Sequence, residues 1–245
     1  MRIHTFAAPE ELQQELCTLS AESSHHLARV LRVQVGQAVS VFDGQGHGAD
    51  AKVESVSKSC VVLRITERWQ REPHRVKITL IQALPKGAKL DLILQKAVEL
   101  GCSEIIPLQT QNAIVKLKAK DAGQKRERWE KIILNAAEQC GTCWLPEIAP
   151  LCTVNELLPK LAEYDLTLIG ALDEETRPLK TVLREADERG IKSVAVLIGP
   201  EGDFTPEEMQ AFREAGATGA SFGTQILRTE TAALFALSAL SYELL

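Results

Sequence analysis

Val194-Ala195-Val196-Leu197-Ile198-Gly199-Pro200-Glu201-Gly202-Asp203-Phe204 is an apolar, β-branched run that stops abruptly at Gly-Pro-Glu-Gly. Such a run reads as a buried strand, and the glycines and proline end it. Gly199 and Gly202 admit backbone angles and a close ligand approach that a side chain forbids. Thr205, Pro206 and Glu208 then supply an N-cap, a proline at the first helical position and a capping-box acid. The helix they start is expected to stop at Gly216. Further on, Ser221-Phe222-Gly223-Thr224-Gln225-Ile226-Leu227-Arg228-Thr229-Glu230-Thr231-Ala232 repeats the arrangement: a short strand, a glycine loop, and a helix capped near Thr229. Two glycine loops at the ends of neighbouring strands make a cleft lined by main chain, where open α/β sheets bind ligands. Neither loop is a phosphate loop, and no G-x-G-x-x-G follows a strand, so a nicotinamide site is disfavoured.

Outward from that stretch the chain alternates strand and helix. Strands are expected at 76–83, 104–108, 166–170, 194–198 and 219–222, and helices at 89–100, 126–139, 176–189, 206–215 and from 229 onward. This α/β alternation means a parallel sheet with helices on both faces. The N-terminal part differs. Short alternating runs at 38–42, 49–56 and 60–66, with turn residues between them, read as a small β-rich module. Gly44, Gly46 and Gly48 look like a nucleotide loop, but no helix follows, and a hairpin turn is the better reading. Ser23 or Ser24 is expected to cap a short helix through His26, Leu27, Val30 and Leu31. The polar stretch 67–74, which contains a proline, is read as the linker, giving domains at 1–72 and 75–245.

Of the 245 residues, 45% are hydrophobic and 25% charged, ordinary for a soluble protein. No apolar run reaches the length of a membrane helix, and the N-terminus lacks a signal-peptide apolar region. The expectation is therefore a cytoplasmic protein with no membrane partner. Six cysteines (17, 60, 102, 140, 143 and 152) are too few and too scattered for a disulfide framework. Cys140-Gly141-Thr142-Cys143 has zinc or redox spacing, but there is no second C-x-x-C and all five histidines lie between positions 4 and 74. Structural cysteines and no metal site are expected. The net charge of −5 is uneven: −1 over 1–74, +6 over 75–131 and −10 over 132–245. The basic central stretch, with Lys116, Lys118, Lys120, Lys125, Arg126, Arg128 and Lys131, suits phosphate contact and equally suits a solvated helix face.

The stretch from Ile198 to Thr205 (IGPEGDFT) followed by Phe222 to Ala232 (FGTQILRTETA) resembles the SPOUT class of S-adenosylmethionine-dependent RNA methyltransferases. Within that class it is similar to the enzymes that make N3-methyluridine near the 3′ end of bacterial 16S ribosomal RNA. The likeness runs along nearly the whole chain. His25 to Arg32 with Val41 to Gly44 matches the family's N-terminal domain. Leu84 to Gly87 with Gln95 to Gly101 opens its catalytic domain, and Trp129 to Ile132 with Ala137 to Gly141 is a further block.

The resemblance implies a PUA-like β-barrel followed by a SPOUT parallel sheet with a C-terminal trefoil knot. It implies S-adenosyl-L-methionine held by Leu197, Ile198, Gly199, Pro200, Glu201, Gly202, Phe222, Gly223, Ile226 and Leu227, beside the loop after Gly170. The implied partners are a second copy of the chain, as a homodimer, and 16S rRNA within the 30S subunit. Implied RNA contacts are Arg2, His25, His26, Arg29, Arg32, Lys86 and Lys116, although His25 and His26 suit packing at the barrel edge equally well. The chain departs from the family pattern at Asp203, where glycine is usual, and at Phe222, where leucine is usual. Asn112, Thr142 and Gln225 stand where arginines are usual.

Methyl transfer from a sulfonium needs little acid–base power, because the leaving thioether is neutral; alignment and exclusion of water matter more. Uridine N3, however, carries a proton that must leave. Arg228, beside a helix N-terminus, can stabilise negative charge developing on the base oxygens, and Glu230 can accept a proton or hold Arg228. These two are the expected catalytic residues. Glu201 can act as a base or order its loop, and Thr229 is expected to cap the helix. A related enzyme with another RNA target, or a non-catalytic RNA-binding factor, shares the fold; the intact Arg228–Thr231 favours an enzyme.

Overall fold

The computed structural model describes residues 3–57, 59–117, 119–171 and 175–245, the side chains of Ala119 and Lys120 excepted. The chain divides into two compact units, Met1–Pro73 with Leu134–Leu145, and His74–Ile133 with Pro146–Leu245. Among the described residues no helix is long and apolar enough to cross a membrane.

The first unit is built on one sheet of β1 (Ile3–Phe6), β2 (Leu16–Thr18), β3 (Ala38–Phe42), β4 (His47–Val56) and β5 (Val61–Gln70), in the order β1-β3-β4-β5-β2. β1 and β3 run parallel and the other pairs antiparallel. Because strand side chains alternate between faces, Val39, Val41, Ala49, Ala51, Val53, Val61 and Leu63 share one core. Gly44 and Gly46 lie in the β3–β4 turn and Gly48 in β4 itself, a hairpin as the lack of a following helix requires. Two expectations are corrected here. β5 continues to Gln70, so the first half of the stretch read as linker is strand; the Trp69 ring lies against Gly48, where a Cβ would meet it at 2.1 Å. The cap of the helix Ala21–His25 is Ser20, whose Oγ accepts from Ser23 N at 3.1 Å. Ser24 is instead buried, donating to Leu19 O at 3.2 Å and accepting from Val61 N at 3.0 Å. The helix then widens into a π turn over His26–Val30.

Residues 134–145 belong to this unit although they lie far along the chain. The Glu138 carboxylate accepts from Thr5 Oγ1 and Phe6 N at 3.1 and 3.0 Å, and the Trp144 indole donates to Arg71 O at 3.2 Å. Partners 73 to 133 residues apart leave no periodic trace, which is why a linear reading places one boundary only.

The second unit is an eight-stranded sheet of β6 (Lys77–Ala83), β7 (Glu104–Gln109), β8 (Glu147–Ile148), β9 (Cys152–Thr153), β10 (Leu166–Gly170), β11 (Arg177–Pro178), β12 (Ser193–Ile198) and β13 (Thr218–Ser221). Its order is β11-β13-β10-β12-β6-β7-β8, with β9 also beside β7, and every pairing is parallel. Parallel strands covered on both faces read as continuous apolar runs, and Val194 to Ile198 is buried throughout. One face carries Ile81, Ile106, Ile169, Ala195 and Leu197 against Phe204 and Phe212, whose rings meet edge-on at 5.1 Å. Helix Thr229–Leu244 packs on β6, β12 and the helices Lys89–Glu99 and Leu179–Glu188. The long helix is Ala119–Cys140, longer than expected, and the expected helix at 176–189 begins with β11 and becomes helical at Leu179.

Asp165, just before β10, ties that strand to its neighbour. Its Oδ2 accepts from Lys192 N, Ser193 N and Ser193 Oγ at 2.8, 2.9 and 3.1 Å. The Lys192 and Ser193 bonds hold its pKa below the ordinary aspartate value of 3.8. A lowered folded pKa means stabilisation that is complete above the unfolded value and is lost as the pH falls through the folded one. Asp165→Asn should therefore lower the melting temperature at neutral pH, and the gap to wild type should close in strong acid, as read by circular-dichroism melts across that range.

Candidate active site

The carboxyl ends of β10, β12 and β13 converge, and the loops leaving them enclose a cleft of about 340 Å3. Its walls are Gly170 and Ala171 after β10, Ile198 to Glu201 and Asp203 after β12, and Phe222 and Gln225 to Thr229 after β13, with Ala232. Gly170 is required by close approach, since a Cβ there would lie 2.8 Å from the Phe222 ring. Phe222 leans in turn on Phe235 at 5.7 Å. Gly223 has φ +122°, a conformation that L side chains rarely adopt.

The loop after β12 is fastened at several points. Thr229 Oγ1 donates to Gly199 O at 2.7 Å and accepts from Gln82 Nε2 at 3.1 Å. Gln82 is fully buried in β6, opposite Ile198. Thr229 thus does not cap its helix, contrary to expectation; Arg228 holds the N-cap position and makes no side-chain cap bond. Asn112 Nδ2 donates to the carbonyls of Gly202 and Asp203 at 3.1 and 3.2 Å and so ties the loop. Asp203 sits at φ 58°, the left-handed region that glycine occupies without cost and aspartate tolerates. Its own Oδ1 accepts from Phe204 N at 2.8 Å.

The charged groups divide into tied and free. Lys89 Nζ lies 2.7 Å from Glu201 Oε1 and 3.2 Å from Glu230 Oε2. Glu201 also accepts from Lys86 N, at 3.1 and 3.3 Å from its two oxygens. Although burial opposes it, the Lys89 bond and the backbone donors hold the Glu201 carboxyl below the usual range. Glu230 therefore pairs with Lys89 rather than with Arg228. Arg228 is exposed on the cleft wall and makes no ion pair among the described residues. Its guanidinium is free for an anionic or polarised ligand group.

Of the residues singled out from sequence, Ile198, Gly199, Pro200, Glu201, Phe222, Ile226, Leu227 and Arg228 come together on the cleft. Leu197 does not; it is fully buried on the opposite, core-facing side of β12, as the two-residue strand period demands. Gly202 and Gly223 lie in the loops without lining the cleft, and Gly202 backs onto Asn112. Gln82, Lys89 and Ala232 were not legible as site residues, since each comes from an element read only as core or helix. In the second unit Lys86 and Lys116 are exposed. In the first, His25, Arg29 and Arg32 are exposed around the π turn and His26 is half-buried, while Arg2 lies outside the described residues. Cys140 is exposed and Cys143 buried, its thiol pushed up by that burial. Among the described residues no group of three His, Cys, Asp or Glu side chains is placed to hold a metal ion.

Family profiles give the class. One described as an RNA methyltransferase PUA domain matches residues 19–66, and one described as an RNA methyltransferase domain matches residues 72–241. The chain is 34% identical to the ribosomal RNA small subunit methyltransferase E of Bacillus subtilis (strain 168), over 92% of this chain and 90% of that one. It belongs to the ribosomal RNA small subunit methyltransferase E family. Among solved structures, a methyltransferase of Legionella pneumophila in complex with the cofactor SAM superposes with a TM-score of 0.90 at 32% identity, covering 99% and 98% of the two chains. The family member from Neisseria gonorrhoeae bound to S-adenosyl methionine gives 0.88 at 28% identity, again covering 99% and 98%.

Replacing Thr229 by valine removes both of its bonds while keeping its shape. The buried Gln82 amide and the Gly199 carbonyl then each lose a partner, so unfolding free energy should fall by about 1–3 kcal/mol. Thr229→Ser should recover most of it, as measured by urea denaturation.

Proposed function

We propose that this protein transfers a methyl group from S-adenosyl-L-methionine to N3 of a specific uridine in 16S ribosomal RNA. The observation that carries the reading is the pairing of a main-chain-walled cleft with an unengaged arginine on its wall. Ile226 is 86% exposed and Leu227 and Phe222 half-buried, all three on that cleft. Apolar side chains held open in a concave site suit a flat, weakly polar ring system such as the adenosine of the cofactor. The two structural neighbours bound to S-adenosylmethionine support the same assignment.

Ile198, Gly199, Pro200, Glu201, Phe222, Ile226 and Leu227 would hold the cofactor, with Leu197, Gly202 and Gly223 shaping the loops behind them. The bound cofactor supplies an electrophilic methyl carbon attached to a sulfonium. The uridine N3 electron pair forms the new N–C bond while the C–S pair leaves with sulfur as a neutral thioether, and the N3 proton passes to an acceptor. Arg228 stabilises the negative charge that builds on the uracil oxygens, a contribution realised in the transition state. Glu230 lies in the first turn of the helix that follows Arg228 and is the proposed proton acceptor. Glu201, already engaged by Lys86 N and Lys89, orders the loop instead.

The same proposal includes domains at 1–72 and 75–245, a PUA-like barrel, a C-terminal trefoil knot, a cytoplasmic homodimer and the 30S particle as partner. Arg2, His25, His26, Arg29, Arg32, Lys86 and Lys116 are the proposed RNA contacts. Each lost phosphate contact should flatten the salt dependence of RNA binding. The deciding experiment is methyl transfer from labelled cofactor to 30S subunits lacking the modification, with nucleoside analysis of the product. N3-methyluridine is expected, and Arg228→Ala should keep cofactor affinity within about twofold while lowering turnover by at least a hundredfold, the size of one lost charge-stabilising donor. Cofactor binding without a methylated nucleoside would favour a non-catalytic assembly role.

A further inference from the structure

Three segments, two of which bound the cleft, meet at one ammonium group. Lys89 is the first residue of the helix Lys89–Glu99, Glu201 lies in the loop after β12, and Glu230 is in the first turn of the helix Thr229–Leu244. Their side chains are 31%, 27% and 17% exposed, so solvent screens the cluster only in part. A lysine at a helix N-terminus opposes the helix dipole, so its own helix gives no reason for its charge. The carboxylates do. Glu201 Oε1 receives the Lys89 bond at 2.7 Å. The Glu230 Oε2 atom is buried and makes no hydrogen bond, although the Lys89 ammonium stands 3.2 Å away. The two groups form an ion pair across that distance. Without the ammonium, two partly buried carboxylates would face each other uncompensated. Lys89 itself is absent from the cleft walls.

We propose that Lys89 is a positioning residue for the methyl-transfer site, clasping the cofactor loop through Glu201 to the catalytic helix turn through Glu230. The inference rests on the reading of the cleft as an S-adenosylmethionine site. The clasp fixes the Ile198–Glu201 wall against the Arg228–Thr229 wall, so that both approach a ligand already ordered and little ordering cost is left for binding. Lys89→Met breaks it and Lys89→Arg, with donors of the same charge, restores it. Glu201→Gln weakens the same joint from the other side.

The test combines backbone hydrogen exchange in the cofactor-free chain, calorimetric affinity for S-adenosylmethionine, and kcat and KM for methylation of 30S subunits. In Lys89→Met, exchange should accelerate at residues 199–203 and 229–232 and not across the sheet. Cofactor affinity should fall about five- to tenfold, the size of one typical net hydrogen bond. KM for the cofactor should rise with the loss of affinity while KM for 30S subunits stays within about twofold. Lys89→Arg should return all three readouts toward wild type. The Lys89→Met/Glu201→Gln pair should cost no more than the worse single change, because both break one joint. Unchanged local exchange and affinity in Lys89→Met would overturn the proposal, as would a uniform rise in exchange across the unit or failure of arginine to rescue. If the wild-type chain binds no S-adenosylmethionine, the functional reading falls, while the exchange measurements still decide whether Lys89 couples the two segments.

Discussion

Parallel pairing of β12 with β10 on one side and β6 on the other is the constraint from which the site follows. The register sets Val194 to Leu197 against Leu166 to Ile169, and Ser193 to Ile198 against Lys77 to Gln82. A strand hydrogen-bonded on both edges and covered on both faces leaves no polar group to solvent until it ends. Val194, Ala195, Val196 and Leu197 are fully buried, and each large aliphatic side chain among them contributes roughly 1.5–3 kcal/mol of burial, which exceeds or matches the cost of ordering its backbone. The strand end is therefore a fixed point, and Gly199 emerges from it at a defined place. Since β10 beside it and β13 beyond β10 run in the same direction, their loops open on the same edge.

What that edge does depends on how the emerging loops are tied. The β12 loop is held at its start by the Thr229 hydroxyl, in its middle by the Glu201 carboxylate and at its end by the Asn112 amide. These fastenings come from three elements that are distant in sequence. A loop held this way keeps its main chain in place at no entropic cost when a ligand arrives. The cationic group left over is Arg228, and its freedom matters as much as its position, because a guanidinium already paired with Glu230 would have little charge to offer a substrate.

The departures from the family pattern also have local reasons. Asp203 occupies a left-handed backbone position, the conformation in which glycine is the usual choice, and it compensates by accepting the Phe204 amide with its own carboxylate. Asn112, where the resemblance leads one to expect an arginine, bonds two loop carbonyls with its amide. In the first unit, the stretch with three glycines that imitates a nucleotide loop is a hairpin turn organised by Asp43, whose carboxylate accepts from Gln45 N and His47 N and meets His47 Nδ1 at 2.8 Å.

The sequence by itself determined the α/β class, the strands at 38–42 and 166–170, the strand and helix on either side of the Gly199 loop, and most of the cleft wall. Those features are local: apolar runs, glycine breaks and capping pairs act within a few residues and leave a periodic trace. Tertiary structure alone decided that residues 134–145 join the first unit, that Leu197 faces the core while Ile198 lines the cleft, and that Thr229 fastens a strand end rather than capping a helix. It also decided that Glu201 and Glu230 share Lys89 and leave Arg228 free. Each of these rests on a hydrogen bond, a charge pairing or a strand face set by residues far apart in the chain, and the energy of such a contact depends on distance in space, which residue order does not contain.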